Sequence, residues 1–107
     1  MLNLAYFLDA TAKRHGGRTA VMLDQIRLSY GELAALARRT SRILENFGVG
    51  RGDRVAMMIP NTPHFPVIYY GILRRGAVVV PVNVLFQKEE ILHYLNDSGA
   101  KVLFAFK

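Results

Sequence analysis

Apolar residues near the start of the chain recur every three to four positions, which is the spacing of an amphipathic helix. The pattern predicts a helix from Leu4 to His15, with Asn3 as its N-cap and with Gly16 and Gly17 at its end. The expected apolar stripe consists of Leu4, Phe7, Leu8, Thr11 or Ala12, and His15.

The next segment combines two short strands with a second helix. Thr19–Leu23 and Ile26–Tyr30 are short apolar or alternating runs on either side of a two-residue turn, and they predict a β-hairpin. Ser29 or Tyr30 then leads into a helix that stops at Gly48. The expected buried face of this helix consists of Leu33, Leu36, Ala37, Thr40, Ile43 or Leu44, and Phe47.

Beyond Asp53 the apolar positions form continuous runs that are separated by segments of helical length. Continuous runs are typical of parallel strands, whose two faces are both covered. The predicted strands are Val55–Ile59, Ala77–Val82 and Val102–Phe106, and the predicted helices are Thr62–Arg75 and Gln87–Ser98, stopped by Gly76 and Gly99. This βαβαβ order indicates an α/β fold with right-handed crossovers and a parallel, doubly wound sheet.

The first of these two helices is apolar nearly all round. Its apolar residues are Phe65, Val67, Ile68, Tyr69, Tyr70, Ile72 and Leu73. A helix with this pattern is stable when it is buried on more than one face, so we expect neighbours on at least two of its sides.

Length and composition allow one core. The 107 residues are 51% hydrophobic and 21% charged, which is ordinary globular composition and enough for one compact domain. No apolar run reaches the length of a membrane span, and Met1 to Asp9 lacks the basic start of a signal peptide. The chain has no cysteine and therefore no disulfide framework, which fits a cytoplasmic location.

The net charge of +6 raises the question of an anionic partner. The 14 lysines and arginines are scattered over different predicted elements, without a continuous basic run or interleaved aromatic residues. This distribution favours solvated helix faces, or arginines that pair with parts of a larger protein, over nucleic-acid binding. Peripheral attachment to an anionic membrane is the alternative explanation of the charge.

The loop after the first parallel strand is one place to look for a ligand, because open α/β sheets bind ligands beyond the carboxyl ends of their strands. This loop, Ile59–Pro66, contains no glycine, and Pro63 and Pro66 lack amide donors, so it is a poor phosphate cradle. Pro63 is expected at the first helical position, after a cap at Asn61 or Thr62.

The loop after the second parallel strand, Asn83–Phe86, leads into a helix that begins with Glu89 and Glu90. These acids suit the positive end of a helix and would repel an anionic ligand. Adjacent residues point to different sides of a helix, so the two carboxylates are not a catalytic pair either.

No other motif of the chain predicts chemistry. The glycines of Gly48–Gly52 precede a strand, whereas the glycines of a dinucleotide-binding fingerprint follow a strand and precede a helix. We expect Asp53 and Arg54 to close this turn and start the strand. The three histidines lie in separate elements without metal-ligand spacing, and no serine has the flanking glycines of a hydrolase nucleophile. We therefore assign no catalytic, cofactor-binding or metal-ligating residue.

Five short motifs occur in the order and spacing that are typical of a known family. They are Ser29-Tyr30-Gly31-Glu32-Leu33, Gly52-Asp53-Arg54-Val55-Ala56, Pro60-Asn61, Gly71 with Gly76-Ala77 followed by Pro81 and Asn83, and Asp97-Ser98-Gly99-Ala100-Lys101-Val102. In this order the chain resembles the N-terminal part of the adenylate-forming (AMP-binding) acyl-CoA synthetases, and among them the long-chain fatty-acid–CoA ligases. Ser29, in place of the family's usual threonine, is a small departure.

The resemblance implies an acid–thiol ligase that joins ATP and a fatty or related carboxylic acid into an acyl adenylate. Such an enzyme releases pyrophosphate and passes the acyl group to coenzyme A, so ATP, Mg²⁺ and CoA are implied for the full-length protein. The family's phosphate loop, ribose-binding aspartate and catalytic lysine match no position of this chain. We therefore expect residues 1–107 to be a single partial domain, the N-terminal portion of the enzyme's large domain, which binds none of these cofactors and is inactive by itself.

Two alternatives stay open. The chain could belong to the adenylation domain of a peptide synthetase or to an aryl-acid ligase, because the resemblance does not reach the pocket that selects the acid. It could also be a non-catalytic, self-associating interaction module. Val102–Phe106 would form an exposed apolar sheet edge, which favours a homo-oligomer unless the remainder of the enzyme covers it.

Overall fold

The computed structural model describes residues 4–23 and 25–105, and these residues form helices and strands in the predicted order. The elements are α1 (Leu4–His15), β1 (Thr19–Leu23), β2 (Ile26–Ser29), α2 (Tyr30–Asn46), β3 (Arg54–Met58), α3 (His64–Arg74), β4 (Val78–Pro81), α4 (Lys88–Ser98) and β5 (Val102–Ala105). Strands β1 and β2 form an antiparallel hairpin, and β4, β3 and β5 form a parallel sheet in that order. The predicted α/β class is confirmed, while the predicted Asn3 cap and Phe106 lie outside the described residues.

Strand β3 is the central strand of the parallel sheet. Val55 pairs with Val79 on one side and with Val102 on the other. The chain passes from β3 to β4 at one edge and then crosses to β5 at the other edge, which is the reversal of direction expected in a doubly wound sheet. Because β3 has a neighbour on each side, Val55, Ala56 and Met57 are buried, whereas the two edge strands contain no fully buried residue.

Helix α3 contributes to two apolar clusters. The first joins α3 to the sheet and to the end of α2, and its buried members are Leu44, Val49, Val55, Met57, Ile72 and Ala77. In the second, Val67 and Tyr70 of α3 pack against residues of α1 and α2, namely Leu8, Leu33, Ala34 and Ala37. The prediction that this apolar helix is covered on more than one side is therefore correct.

The buried face of α1 differs from the predicted stripe. Ala5 and Leu8 are buried, but Leu4 is 48% exposed and Phe7 is 54% exposed. Helices approach each other most closely where their side chains are small, and here Leu8 and Ala12 of α1 pack in one cluster with Ala34 of α2. The spacing of large apolar residues alone therefore placed the stripe too far round the helix.

Helix α2 buries most of the residues that were predicted for it. Leu44 is fully buried, whereas Ile43 is about half exposed, which decides between the two candidates at this turn. Phe47 was expected on the buried face, but it is 69% exposed. It is the C-cap of α2, and Gly48 beyond it adopts a φ of +79°, so the chain leaves the helix before Phe47 can join the apolar stripe.

Candidate functional site

The carboxyl ends of β3 and β4 lie side by side. Met57 pairs with Pro81, and the amide of Val82 donates a hydrogen bond to the carbonyl of Met57 over 3.0 Å. The loops that follow the two strands therefore leave the sheet at one edge. Ligands of open α/β sheets bind beyond this edge, so these loops define the candidate functional site.

The loop after β3 forms a turn before α3 begins. The amide of Thr62 donates to the carbonyl of Pro60 over 2.7 Å, and the carbonyl of Thr62 accepts from the amide of Phe65 over 3.0 Å. Pro63 is the N-cap of α3, not its first helical residue, and no side chain caps the helix, so the predicted cap at Asn61 or Thr62 is wrong. The hydroxyl of Thr62 is buried instead and bonds to no described residue.

The loop after β4 is held by its own asparagine. The Asn83 side-chain oxygen accepts from the amide of Leu85 over 2.9 Å, and the Asn83 carbonyl accepts from the amide of Phe86 over 3.0 Å. Helix α4 then begins with a capping box, in which Gln87 and Glu90 satisfy each other's backbone amides. Because these amides are engaged and the first turn is acidic, this helix start disfavours an anionic ligand.

The glycine-rich turn before β3 lies at the opposite, amino edge of the sheet. One carboxylate oxygen of Asp53 accepts from the amide of Gly50 over 2.7 Å and from the ammonium group of Lys101 over 3.0 Å. The hydrogen bond from Gly50, followed by the hydrogen bond and the positive charge of Lys101, holds the pKa of Asp53 below the usual value of an aspartate. Asp53 thus closes the turn, as predicted, and it also ties the turn to the entry of β5.

Further hydrogen bonds join the entries of all three parallel strands. The amide of Gly52 donates to the carbonyl of Gly76 over 2.9 Å, and the guanidinium of Arg54 donates to the carbonyl of Ser98 over 2.7 Å. Sequence patterns gave no sign of these contacts, because the partners of Arg54 and Asp53 are 44 and 48 residues away. The motif Gly52-Asp53-Arg54 is therefore a structural clamp of the sheet.

The described residues offer no metal site. No group of three histidine, aspartate or glutamate side chains among them could hold a metal ion. His93 contacts Asp97 over 3.1 Å on the exposed face of α4, which is a helical pair of side chains rather than a ligand set. Within residues 4–23 and 25–105, no helix is long and apolar enough to cross a membrane.

Comparison with known sequences identifies the family. The profile of the AMP-binding enzymes matches residues 8–107, and the chain belongs to this family. The long-chain-fatty-acid–CoA ligase of Escherichia coli O157:H7 is 49% identical over 102 residues, which cover 94% of this chain and 18% of that protein. The chain thus spans less than a fifth of the length of this curated relative.

Solved structures of related proteins have the same fold. The N-terminal domain of FACL13 from Mycobacterium tuberculosis matches with a TM-score of 0.90 and 34% identity, over 96% of this chain and 27% of that one. A benzoate CoA ligase from Burkholderia xenovorans LB400 matches with a TM-score of 0.91 and 30% identity, over 98% and 22%. The N-terminal subdomain of NpsA from Klebsiella oxytoca matches with a TM-score of 0.87 and 28% identity, over 98% and 28%. The resemblance to N-terminal regions of acyl-CoA ligases is confirmed.

Proposed function

We propose that residues 1–107 are the N-terminal part of the large domain of an acyl-CoA ligase that acts on fatty or related carboxylic acids. The observation that carries this proposal is the identity to a long-chain-fatty-acid–CoA ligase, which extends over nearly the whole chain. The longer enzyme would convert ATP, the carboxylic acid and CoA into acyl-CoA, AMP and pyrophosphate through an acyl adenylate. ATP, Mg²⁺ and CoA would be bound outside these residues.

In this role the chain is a structural scaffold of the enzyme. The amino edge of its sheet is fixed by the contacts of Asp53 and Arg54, and the carboxyl edge presents the prolines of the first loop and the acidic start of α4. Neither loop offers the glycine-rich row of free amides that a triphosphate requires. We therefore propose that none of these residues is catalytic and that the chain alone does not form an adenylate.

A chimera tests the proposal. The aligned N-terminal segment of the Escherichia coli ligase would be replaced by this chain, and we expect the chimera to form acyl-CoA from a long-chain fatty acid. The matched control carries Gly71→Leu, which should abolish folding and activity together, because a side chain at Gly71 collides with Thr40. A chimera that folds but forms no acyl-CoA would contradict the proposal.

The inactivity of the isolated chain has its own test. Purified residues 1–107 should show no carboxylate-dependent exchange of pyrophosphate into ATP above a no-protein control. Exchange that depends on both the carboxylate and the folded chain would place catalytic groups within these residues and overturn the scaffold role.

The alternatives are an aryl-acid ligase and the adenylation domain of a peptide synthetase. The structural likeness to a benzoate CoA ligase supports the first, and the likeness to NpsA, which occurs in a fused adenylation–PCP di-domain of a peptide synthetase, supports the second. The identities, 30% and 28%, are lower than the 49% to the fatty-acid–CoA ligase. A panel of fatty, aromatic and amino acids offered to the full-length enzyme, with acyl adenylate formation as the readout, separates the three classes. A marked preference for benzoates or amino acids would replace the fatty-acid assignment.

An exposed strand edge supports self-association of the isolated chain. Strand β5 is an edge of the sheet, and α4 beside it in sequence leaves Leu92 52% exposed. We propose that two copies pair through β5, which light scattering over a concentration series would detect as a dimer. Leu103→Lys should block pairing while sparing the core, because Val102 and Phe104, not Leu103, pack on the buried cluster. A monomer at all concentrations would contradict the pairing.

We place the full-length enzyme in the cytoplasm, with peripheral membrane attachment as the alternative. The lack of cysteine supports the first location and the charge of +6 supports the second. Cell fractionation at low and high salt distinguishes them, because electrostatic attachment is released by salt.

A further inference from the structure

An open groove runs between α1 and α2, beside the end of α3. The ion pair between Asp9 and Arg74 crosses it and separates two depressions with volumes of about 440 and 200 Å³. The lining of the larger depression includes the small residues Ala12, Gly31 and Ala34. The smaller depression continues to Ala5, Tyr6 and Ser41.

The larger depression has an excess of positive charge. Lys13, Arg38 and Arg74 line it together with one carboxylate, that of Asp9. Asp9 is already paired with Arg74, whereas Lys13 and Arg38 form no ion pair with any other described residue. Three cations against one carboxylate leave two uncompensated positive charges, so the groove is complementary to an anionic partner.

The shape of the groove favours an elongated partner. Its α2 wall extends from Gly31 to Ser41, which is about 15 Å at the rise of an α-helix. An extended peptide covers roughly 3.3 Å per residue, so four or five residues would fill this length. The groove is open along its side, unlike the enclosed pockets that bury most of a small ligand.

We propose that this groove binds a short acidic peptide segment in an extended conformation. Carboxylates of the segment contact Lys13 and Arg38, and the planar guanidinium of Arg38 can hold a carboxylate through two hydrogen bonds. The small lining residues Gly31 and Ala34 let the peptide backbone lie close to α2. We assign the segment to a separate protein that is recognised through its acidic side chains.

Binding of a fluorescein-labelled pentapeptide of alternating glutamate and alanine tests the inference by fluorescence anisotropy at low salt. We expect saturable binding that weakens as salt is added and that is lost when glutamine replaces glutamate. The double variant Lys13→Gln/Arg38→Gln should weaken binding about tenfold. The loss is modest because each ion pair that is removed is partly exposed to solvent.

A matched control exists at the neighbouring positions. Arg14→Gln/Arg39→Gln removes the same net charge from the same two helices, but Arg14 and Arg39 do not line the groove. This variant should bind the peptide within about twofold of the original chain. Equal losses in both double variants would mean attraction by net charge alone and would overturn the site. Circular dichroism of each variant verifies that it is folded.

A second measurement locates the peptide. In ¹H–¹⁵N spectra, shifts on titration should be concentrated at Gly31, Ala34 and Ala12, whereas Gly50 and Gly52 at the amino edge of the sheet should not shift. Shifts spread over the whole surface, or no binding, would overturn the proposal.

Other ligands give further tests. Inorganic pyrophosphate that competes as well as the peptide would overturn the proposal in favour of a small-anion site. The chain could instead bind phosphatidylserine vesicles and not the peptide. If Lys13→Gln/Arg38→Gln then selectively abolished vesicle binding, the proposal would be overturned in favour of a lipid-binding surface.

The source of the segment follows from comparing the 107-residue chain with the full-length protein. If the free peptide binds both, the groove is open to a separate protein, as proposed. If it binds the chain but not the full-length protein, another part of the same polypeptide covers the groove, and the assignment to a separate partner is overturned. Neither result depends on the proposed enzymatic activity.

Discussion

Gly71 of α3 lies directly against Thr40 of α2. A Cβ atom at Gly71 would be 2.4 Å from the Cβ and 2.5 Å from the Cγ2 of Thr40, well inside contact distance. Thr40 is buried, and its hydroxyl donates to the carbonyl of Leu36 over 3.1 Å, so its side chain has little room to move. The close approach of the two central helices therefore requires a glycine at this position.

Gly71→Ala should destabilise the chain although alanine is the better helix former. The helix propensity gained is about 1 kcal/mol, whereas forcing the helices apart costs more, so we expect a net loss of about 1–3 kcal/mol in the free energy of unfolding. Urea unfolding measures it. Gly17→Ala is the control, since no atom lies within 4 Å of its added Cβ. Equal stability of the two variants would show that the helices tolerate the extra methyl group.

The Asp53 carboxylate should make stability depend on pH. Its pKa is lowered in the folded chain, first by the amide of Gly50 and then by Lys101, so its contribution is present above the usual pKa of an aspartate, about 4. The contribution is lost as the pH falls through the lowered pKa. The difference in unfolding free energy between the original chain and Asp53→Asn should therefore be largest near pH 7 and should shrink towards pH 2.

Lys101→Met separates the two causes of this effect. The hydrogen bond from Gly50, which is the largest single cause of the lowered pKa, remains in this variant. We therefore expect Lys101→Met to keep part of the pH-dependent stability that Asp53→Asn loses, measured by urea unfolding from pH 2 to pH 7. A variant as insensitive to pH as Asp53→Asn would assign the effect to the ammonium group instead.

The start of α2 depends on a capping box. The Ser29 hydroxyl accepts from the amide of Glu32 over 3.1 Å, and the Glu32 carboxylate accepts from the amide of Ser29 over 3.0 Å. Ser29→Ala should therefore lower the free energy of unfolding by about 1 kcal/mol. Ser41→Ala within the same helix is the control, because the Ser41 hydroxyl makes no hydrogen bond to another described residue. A similar loss in both variants would argue against the cap.

The order of elements could be predicted because local signals agreed with the tertiary structure. Continuous apolar runs marked the parallel strands, and glycine marked the helix ends. Gly48 and Gly99 do adopt φ values of +79° and +69°, which favour glycine over other residues. The backbone conformation at these glycines needs no distant partner, so the local sequence was sufficient to predict where the helices end.

Features that depend on distant partners could not be predicted. The exposure of Phe7 follows from which side of α1 fits against the alanines of α2, and the spacing of large apolar residues contains no such information. The contacts of Asp53 with Lys101 and of Arg54 with Ser98 need the folded sheet to bring them together. At the carboxyl edge, the turn at Pro60 replaced the expected helix cap.

The buried hydroxyl of Thr62 gives the last prediction, at the carboxyl edge of the sheet. It bonds to no described residue, and an unsatisfied buried hydroxyl is unfavourable. Thr62→Val keeps the shape and removes the hydroxyl, so it should be neutral or should stabilise the chain by about 1 kcal/mol in urea unfolding. Thr62→Ala also removes the methyl group and should destabilise by about 1 kcal/mol, which separates packing from hydrogen bonding. A loss of more than about 1 kcal/mol in Thr62→Val would show that the hydroxyl is bonded in the folded protein, because only then does its removal cost stability.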